Sequence, residues 1–463
     1  MTLIKSISGI RGTIGGKPGE GLSPLDIVKF TAAYGFWLKQ NHSKVKVVIG
    51  RDARMSGEMV ENIVSSTLIA LGIDVVNIGL STTPTVEVAV PLEKAQGGII
   101  LTASHNPKQW NALKLLNHKG EFISGAEGET ILKIADEGSY SFVQVDDLGT
   151  ITKDETYISK HIQQVIAHPL VNKDAIQKAN FKVAFDAVNS TGGIVLPELL
   201  KALGVNQILP LFDTPNGDFP HNPEPLPEHL QDIAQLIKKE GADIGFVVDP
   251  DVDRLAMVCE DGTMFGEEYT LVAVADYILS KKKGNTVSNL SSTRALRDVT
   301  VKHGGEYFPA AVGEVNVVEK MKEVNAVIGG EGNGGIIFPD THYGRDALIG
   351  IALFLSLMAE KKLSASALRA SYPQYFISKN KIELTPDIDV DLVLASMAKK
   401  YQNENINTVD GVKIDFEKEW VHLRKSNTEP IIRIYSESEN EQKANDLAKQ
   451  IIEDILEITA QKA

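Results

Sequence analysis

A chain of 463 residues, 43% hydrophobic and 23% charged, has the length for about three or four domains of ~100–200 residues and the composition of an ordinary globular protein. Its formal net charge of -14 excludes the basic surface that nucleic acid or an acidic membrane demands. It leaves anionic small molecules open, because local Arg and Lys can build a positive cleft on an acidic protein.

The N-terminus carries no apolar run of the signal-peptide kind. The first β-rich run is Val45-Lys46-Val47-Val48-Ile49, followed by a polar turn with Arg51-Asp52 and a helical pattern that ends at Ala70-Leu71-Gly72. A second strand, Ile73 to Val76, completes a βαβ unit with Gly closing the helix. Next, Gly98-Ile99-Ile100-Leu101 reads as a buried strand leading into Thr102-Ala103-Ser104-His105-Asn106-Pro107. A serine at the carboxyl end of such a strand sits where open α/β sheets bind ligands; taken alone, it serves equally as a helix N-cap in an ordinary turn.

The pattern recurs twice. Phe181 to Leu211 has a strand, the turn Asn189 to Gly193, a helix ending at Ala202-Leu203-Gly204 and another strand. Asn285 to Val312 repeats it, with Ser291-Ser292-Thr293 as the expected helix cap and Gly304-Gly305 before the new strand. Each unit is followed by an apolar strand and a polar loop: Asp249-Pro250-Asp251-Val252-Asp253-Arg254 after the second, and Gly329-Gly330-Glu331-Gly332-Asn333-Gly334-Gly335 after the third. Three related modules would each deliver one loop, although all βαβ units share this texture. The longest apolar stretch, Leu348 to Ala359, falls short of the ~20 residues that span a bilayer and reads as a buried helix. From about Ser371 the chain alternates apolar and polar residues and ends in an amphipathic helix from Glu441 to about Leu456. The expected domains are 1–150, 151–260, 261–370 and 371–463. The single cysteine, Cys259, rules out an intrachain disulfide and fits a reducing compartment, so a cytoplasmic location is expected.

Asp249, Asp251 and Asp253 alternate, which in an extended loop converges oxygens on one hard cation. An EF-hand is the rival, with Glu260 at the twelfth position; Arg254 where that turn needs Gly, and strand-like flanks, argue against it. A carboxylate-held Mg²⁺ that also meets a phosphate is favoured, with Arg254 adding positive charge beside it. The glycine-rich loop is followed by strand-like Ile336-Ile337-Phe338 instead of a helix, which disfavours a dinucleotide fingerprint. It reads as backbone close to a ligand, with Glu331 and Asn333 bonding hydroxyl groups, or as a plain hairpin. Arg424-Lys425-Ser426-Asn427-Thr428-Glu429-Pro430 offers a guanidinium, two hydroxyls and an amide, a set that suits a phosphate.

Together these loops, with Ser8-Gly9-Ile10-Arg11-Gly12-Thr13 near the N-terminus, identify a resemblance to the α-D-phosphohexomutase superfamily. That group has loops of the types Thr-x-Ser-His-Asn-Pro, Asp-x-Asp-x-Asp-Arg, Gly-Glu and Arg-x-Ser-x-Thr-Glu-Pro, in the order found here. The resemblance implies an α/β fold: three related α/β domains with mixed sheets plus a smaller C-terminal α+β domain around a central cleft. It implies that Ser104 carries a phosphoryl group, and that Asp249, Asp251 and Asp253 hold Mg²⁺ with an oxygen on Ser104. Hexose 6-phosphate and hexose 1-phosphate would then interconvert through a hexose 1,6-bisphosphate that turns around in the site. His105 belongs to the catalytic set it implies. Arg11 and Lys114 match residues near the reacting hydroxyl, Lys114 being the better proton carrier because Arg is always charged. Glu331, Gly332 and Asn333 would meet the sugar, and Arg424, Ser426, Asn427, Thr428 and Arg433 its distal phosphate.

Two departures stand out. Gly335 and Asn333 replace the histidine and serine of the common Gly-Glu-x-Ser-Gly-His, and Val312-Gly313-Glu314-Val315-Asn316 has a carboxylate where many members have a basic residue. These features are similar to phosphoglucosamine-mutase-like members of the archaeal type, and Glu314 would favour a cationic 2-amino group. Glucosamine phosphate is therefore the expected substrate, with glucose or mannose phosphate as the alternative. A Mg²⁺-dependent sugar phosphatase and a non-catalytic sugar-phosphate-binding protein are the remaining readings.

Overall fold

The structure, a computed structural model, describes residues 2–6, 9–383, 388–425 and 431–460. The run Gly97–Leu101 is buried at all five positions, as a central strand with helices on both faces must be. It pairs in parallel with Lys46–Arg51, which pairs in parallel with Asp74–Leu80, and antiparallel with Trp110–Leu116. The Ser104 loop is the connection of that last, antiparallel pair. The same arrangement recurs in the second and third sheets. Ile244–Val248 lies between parallel Lys182–Asp186 and antiparallel Leu255–Cys259, with the three aspartates in the hairpin connection. Ala326–Glu331 lies between parallel Asn285–Asn289 and antiparallel Gly335–Ile337, with the glycine-rich loop between them. The repeat is thus a strand that enters a polar loop and returns antiparallel.

Some boundaries differ from expectation. Strand Ile151–Lys153 pairs with Asp74–Leu80, so the first sheet extends past residue 150. The cores of the second and third units are continuous: Phe246 and Phe265 both meet Phe354 edge-on. Helix Ala347–Lys361 supplies that phenylalanine and buries every residue from Ala347 to Met358, which explains its unbroken apolar sequence. The N-cap of the next helix, Ala295–Lys302, is Arg294, and Thr293 Oγ1 accepts the N–H of Ala295 at 3.2 Å, so the Ser291 to Thr293 segment does supply a side-chain acceptor to the helix start. Among the described residues no helix is long and apolar enough to cross a membrane.

The C-terminal sheet runs Phe376–Glu383, Ile431–Ser438, Trp420–Lys425, Val412–Asp415, Asn405–Asn407, all antiparallel. Alternation sorts its faces. Val412, Ile414, Val421, Leu423, Ile432 and Ile434 pack into the core cluster that also takes residues of helices Val390–Lys400 and Glu441–Ala460. The opposite face carries Lys379, His422, Arg424, Arg433 and Tyr435, which line a cavity against the second and third units.

Candidate active site

Ser104 sits in the left-handed region at φ +49°, a conformation that costs a non-glycine residue about 1–3 kcal/mol unless its surroundings hold it. The restraint is Arg54. Its guanidinium donates to the carbonyls of Ser104 (2.5 Å), Asn106 (2.7 Å), Pro107 (2.8 Å) and Trp110 (3.0 Å). Asp52 accepts from Arg54 Nε at 3.0 Å and from Thr102 Oγ1 at 2.6 Å, and Thr102 Oγ1 in turn accepts the Ser104 N–H. Sequence reasoning missed Arg54. The available signal was an Asp-x-Arg directly after a buried strand, which cannot stay buried without polar partners. Ser104 Oγ donates to Asp249 Oδ2 at 2.8 Å and lies 3.3 Å from His105 Nδ1.

The three aspartates are all buried, and one carboxylate oxygen from each lies within 4.8 Å of the others. Val252 between them is a β-branched residue at φ +61°, a strained position of the kind found at functional loops. Asp249 Oδ1 accepts the N–H groups of Asp253 and Arg254. Asp251 Oδ2 accepts from Lys114 Nζ (2.7 Å) and Thr83 Oγ1 (2.5 Å). Burial and its two neighbouring carboxylates push Asp249 well above the usual carboxylate range. Burial works to raise Asp251, but the charge of Lys114 and the hydrogen bonds from Lys114 and Thr83 together pull it below that range. Asp251 Oδ1 and Asp253 Oδ1 are buried without a hydrogen-bond partner. Converging hard oxygens, two of them unpartnered, fit Mg²⁺. The strands on both flanks exclude an EF-hand, and Glu260 is occupied elsewhere by Ser366.

Cations surround this loop. Burial works against the charge on Lys114, but Asp251 and Asp253 outweigh it and raise its pKa, so the amine is charged. Arg11 Nε and Arg254 Nε are buried without partners, and burial together with Arg254 lowers the pKa of Arg11. Guanidinium groups that repel each other and keep free donors call for an anion between them. Burial, reinforced by Arg254 and Arg345, pushes His105 down to about 2, so its imidazole is neutral.

Arg345, also missed in the sequence, is the hub of the site. It is buried, and its guanidinium reaches Asp253 (2.7 Å), Glu331 (3.0 Å) and Glu314 (3.1 Å). The second oxygen of Glu314 accepts the Arg345 backbone N–H at 2.9 Å, so Arg345 bonds to both oxygens of this carboxylate. Glu331 accepts further from Asn289 (3.0 Å) and the Gly313 N–H (3.1 Å). Gly332 is a glycine because a Cβ there would overlap the carboxylate of Glu268, which is buried and pushed up to about 8 by that burial. Asn333 Oδ1 caps the Gly335 N–H at 3.2 Å.

A cavity of about 230 Å³ opens beside these groups, lined by Arg254, Glu268, Glu331 and Asn333 on one side and Arg424 and Arg433 on the other. Arg424 and Arg433 face each other as direct cross-strand partners. Like charges so placed destabilise a sheet unless an anion lies between them. Arg424 has Asp410 at 2.7 Å as a counter-ion, and Arg433 is exposed. Ser426, Asn427 and Thr428 lie outside the described residues.

Four profiles of one family match the chain in order: Phosphoglucomutase/phosphomannomutase alpha/beta/alpha domain I over residues 3–141, domain II over 156–262, domain III over 266–375 and the C-terminal domain over 383–454. A "Phosphoglucomutase/phosphomannomutase" of Thermococcus kodakarensis is 33% identical over 440 residues, which is 94% of this chain and 96% of the relative. A "Probable phosphoglucosamine mutase" of Methanopyrus kandleri is 32% identical over 449 residues, 96% of each chain. Among solved structures, a phosphoglucomutase/phosphomannomutase family protein of Burkholderia thailandensis superposes with a TM-score of 0.83 at 25% identity, covering 98% of both chains.

Proposed function

The chain belongs to the α-D-phosphohexomutase superfamily, and from that premise we propose that it interconverts the 6- and 1-phosphates of glucosamine through a phosphoryl group carried on Ser104. The observation that carries the reading is the 2.8 Å contact of Ser104 Oγ with Asp249, inside a buried aspartate loop that retains two unpartnered oxygens.

Asp249, Asp251 and Asp253 are assigned to hold Mg²⁺ together with an oxygen on Ser104. When bound, the ion supplies positive charge against the transferring phosphoryl group. Arg54 presents Ser104 in its strained conformation, so the nucleophile needs no reorganisation. Arg11 and Arg254 offer their free Nε donors to the phosphoryl oxygens. In the first transfer one proton moves from the sugar hydroxyl to Ser104 Oγ, whose O–H is then received by Asp249; in the return transfer the proton moves the other way, from Ser104 Oγ–H to the sugar oxygen that gives up its phosphoryl group. Lys114 is assigned to the sugar hydroxyl. Neutral His105, with Nδ1 3.3 Å from the Ser104 oxygen whose proton goes to Asp249, is placed to donate to that oxygen in its Nδ1–H tautomer and adds no repulsion to the cationic cluster. The bisphosphate formed in the first transfer must reverse ends, so the distal site has to accept either phosphate. Arg424 and Arg433 are assigned to it, because their direct opposition is relieved by an anion.

Glucosamine phosphate is supported by the Methanopyrus relative's name and by the acidic residues Glu224 and Glu267 that line the cavity. The Thermococcus relative's name supports glucose or mannose phosphate instead. The test is turnover of the 1-phosphates of glucosamine, N-acetylglucosamine, glucose and mannose, with Mg²⁺ and a trace of the matching bisphosphate, followed by ³¹P NMR. Fastest conversion of glucosamine 1-phosphate to its 6-phosphate is expected. Conversion of none refutes the mutase, and net release of inorganic phosphate revives the phosphatase.

A further inference from the structure

Behind the acidic loop, four ionisable side chains that the reaction does not use meet in the interior. His161 comes from helix Tyr157–Ala167 and Glu87 from helix Thr83–Leu92; His342 and Asp346 precede helix Ala347–Lys361. The side chains of His161, Glu87 and Asp346 are at most 1% exposed and that of His342 is 11% exposed. From this geometry we infer that His161 Nε2, His342 Nε2 and Asp346 Oδ2 form a structural site for a divalent transition-metal ion of the Zn²⁺ type, distinct from the aspartate loop.

Asp346 Oδ2 lies 3.1 Å from His161 Nε2 and 3.4 Å from His342 Nε2. Ligands about 2.0 Å from a tetrahedral Zn²⁺ stand about 3.3 Å apart, which both distances to Asp346 match, and all three ligand atoms lie within 4.8 Å of one another. The outer nitrogens are also provided for. Thr85 Oγ1 is 3.0 Å from His161 Nδ1, and Glu87 Oε2 is 3.3 Å from His342 Nδ1. A hydroxyl or carboxylate on the far nitrogen is the usual orienting partner of a metal-bound imidazole. Glu87 is the independent pointer: neither of its oxygens makes a well-formed hydrogen bond, although the residue is 1% exposed. Burying two carboxylates is costly without positive charge, and a dication with two neutral imidazoles balances them. Imidazole ligands select a transition metal over Mg²⁺, which takes oxygen.

The placement gives the ion a job. Thr83, one helical turn before Glu87, donates its N–H and its hydroxyl to Asp251. Asp346 directly follows Arg345, and the Ala347 N–H reaches the carbonyl of strained Val252 at 3.3 Å. The ion would clamp the two segments that brace the aspartate loop from behind.

To test this, the metal-stripped full chain is given one equivalent of Zn²⁺ in excess Mg²⁺, passed through gel filtration and analysed for zinc. About one Zn²⁺ per chain is expected for the wild type and for Asp251→Asn, with at least a fivefold drop in His342→Asn and His161→Asn. Loss of zinc in the wild type, or zinc that follows Asp251 instead of the histidines, overturns the proposal. Should the histidine variants not fold, X-ray absorption on the zinc-loaded wild type decides: two imidazoles in the shell support the site, and an oxygen-only shell refutes it. Either result leaves the mutase reading standing, because its own test is sugar-phosphate turnover.

Discussion

Replacing Arg54 by methionine tests whether Ser104 is held in place or merely placed. All four guanidinium hydrogen bonds to loop carbonyls are lost, as is the ion pair to Asp52. The left-handed conformation of Ser104 stores about 1–3 kcal/mol, which the freed loop would release by relaxing. At 1.4 kcal/mol per factor of ten, the productive loop population falls about 5- to 150-fold, and kcat with it. KM should stay within about twofold, because Arg54 does not line the substrate cavity. The buried Asp52 left behind adds a stability loss of about 3–5 kcal/mol. Asp52→Asn combined with Arg54→Met should therefore recover much of the thermal stability without recovering kcat. Steady-state kinetics on glucosamine 1-phosphate, beside thermal unfolding of both variants, separates the two effects. A single variant with kcat within twofold of wild type would falsify the claim that Arg54 sets the nucleophile's geometry.

Ser104→Ala should fold normally, show no added phosphoryl group by intact mass and lose isomerisation; wild-type turnover would sink the covalent route. Arg433→Ala should raise KM by about 10- to 100-fold, the equivalent of one charge-assisted contact to phosphate, with a smaller change in kcat; an unchanged KM removes Arg433 from the distal site. His422 bridges Ser291 and the Asp410 carbonyl, and burial pushes its pKa down to about 4 from an unfolded value near 6.5. The unfolded chain therefore binds more protons between these values, so this contribution is complete above about pH 6.5 and is lost as pH falls towards 4. His422→Gln should flatten the acid side of the stability profile by up to ~3 kcal/mol, measured as denaturation midpoints from pH 7 to 4. An identical acid slope in variant and wild type would show that another group controls it.

The loops at Ser104, at Asp249 to Arg254 and at Gly329 to Gly335 were legible because each lies in one short segment at the end of an apolar strand, and strand, turn and residue type are local properties. The same locality located the start of helix Ala295–Lys302, where Thr293 accepts the Ala295 N–H although Arg294 stands at the N-cap position. What no local pattern could tell is that Arg345, 31 residues further on, bonds to both oxygens of Glu314.

By itself, the amino-acid sequence determined the repeated α/β modules, the serine, the three aspartates and the arginines of the last domain, since periodicity and turn chemistry act over a few residues. Only the tertiary structure decided that Ser104 meets Asp249 across 145 residues, that Arg345 joins Asp253 to Glu331 and Glu314, and that His161, His342, Asp346 and Glu87 share one interior. The reason is physical. A buried charge must find its partner in space, and nothing in its sequence neighbours records which distant strand or helix will bring that partner.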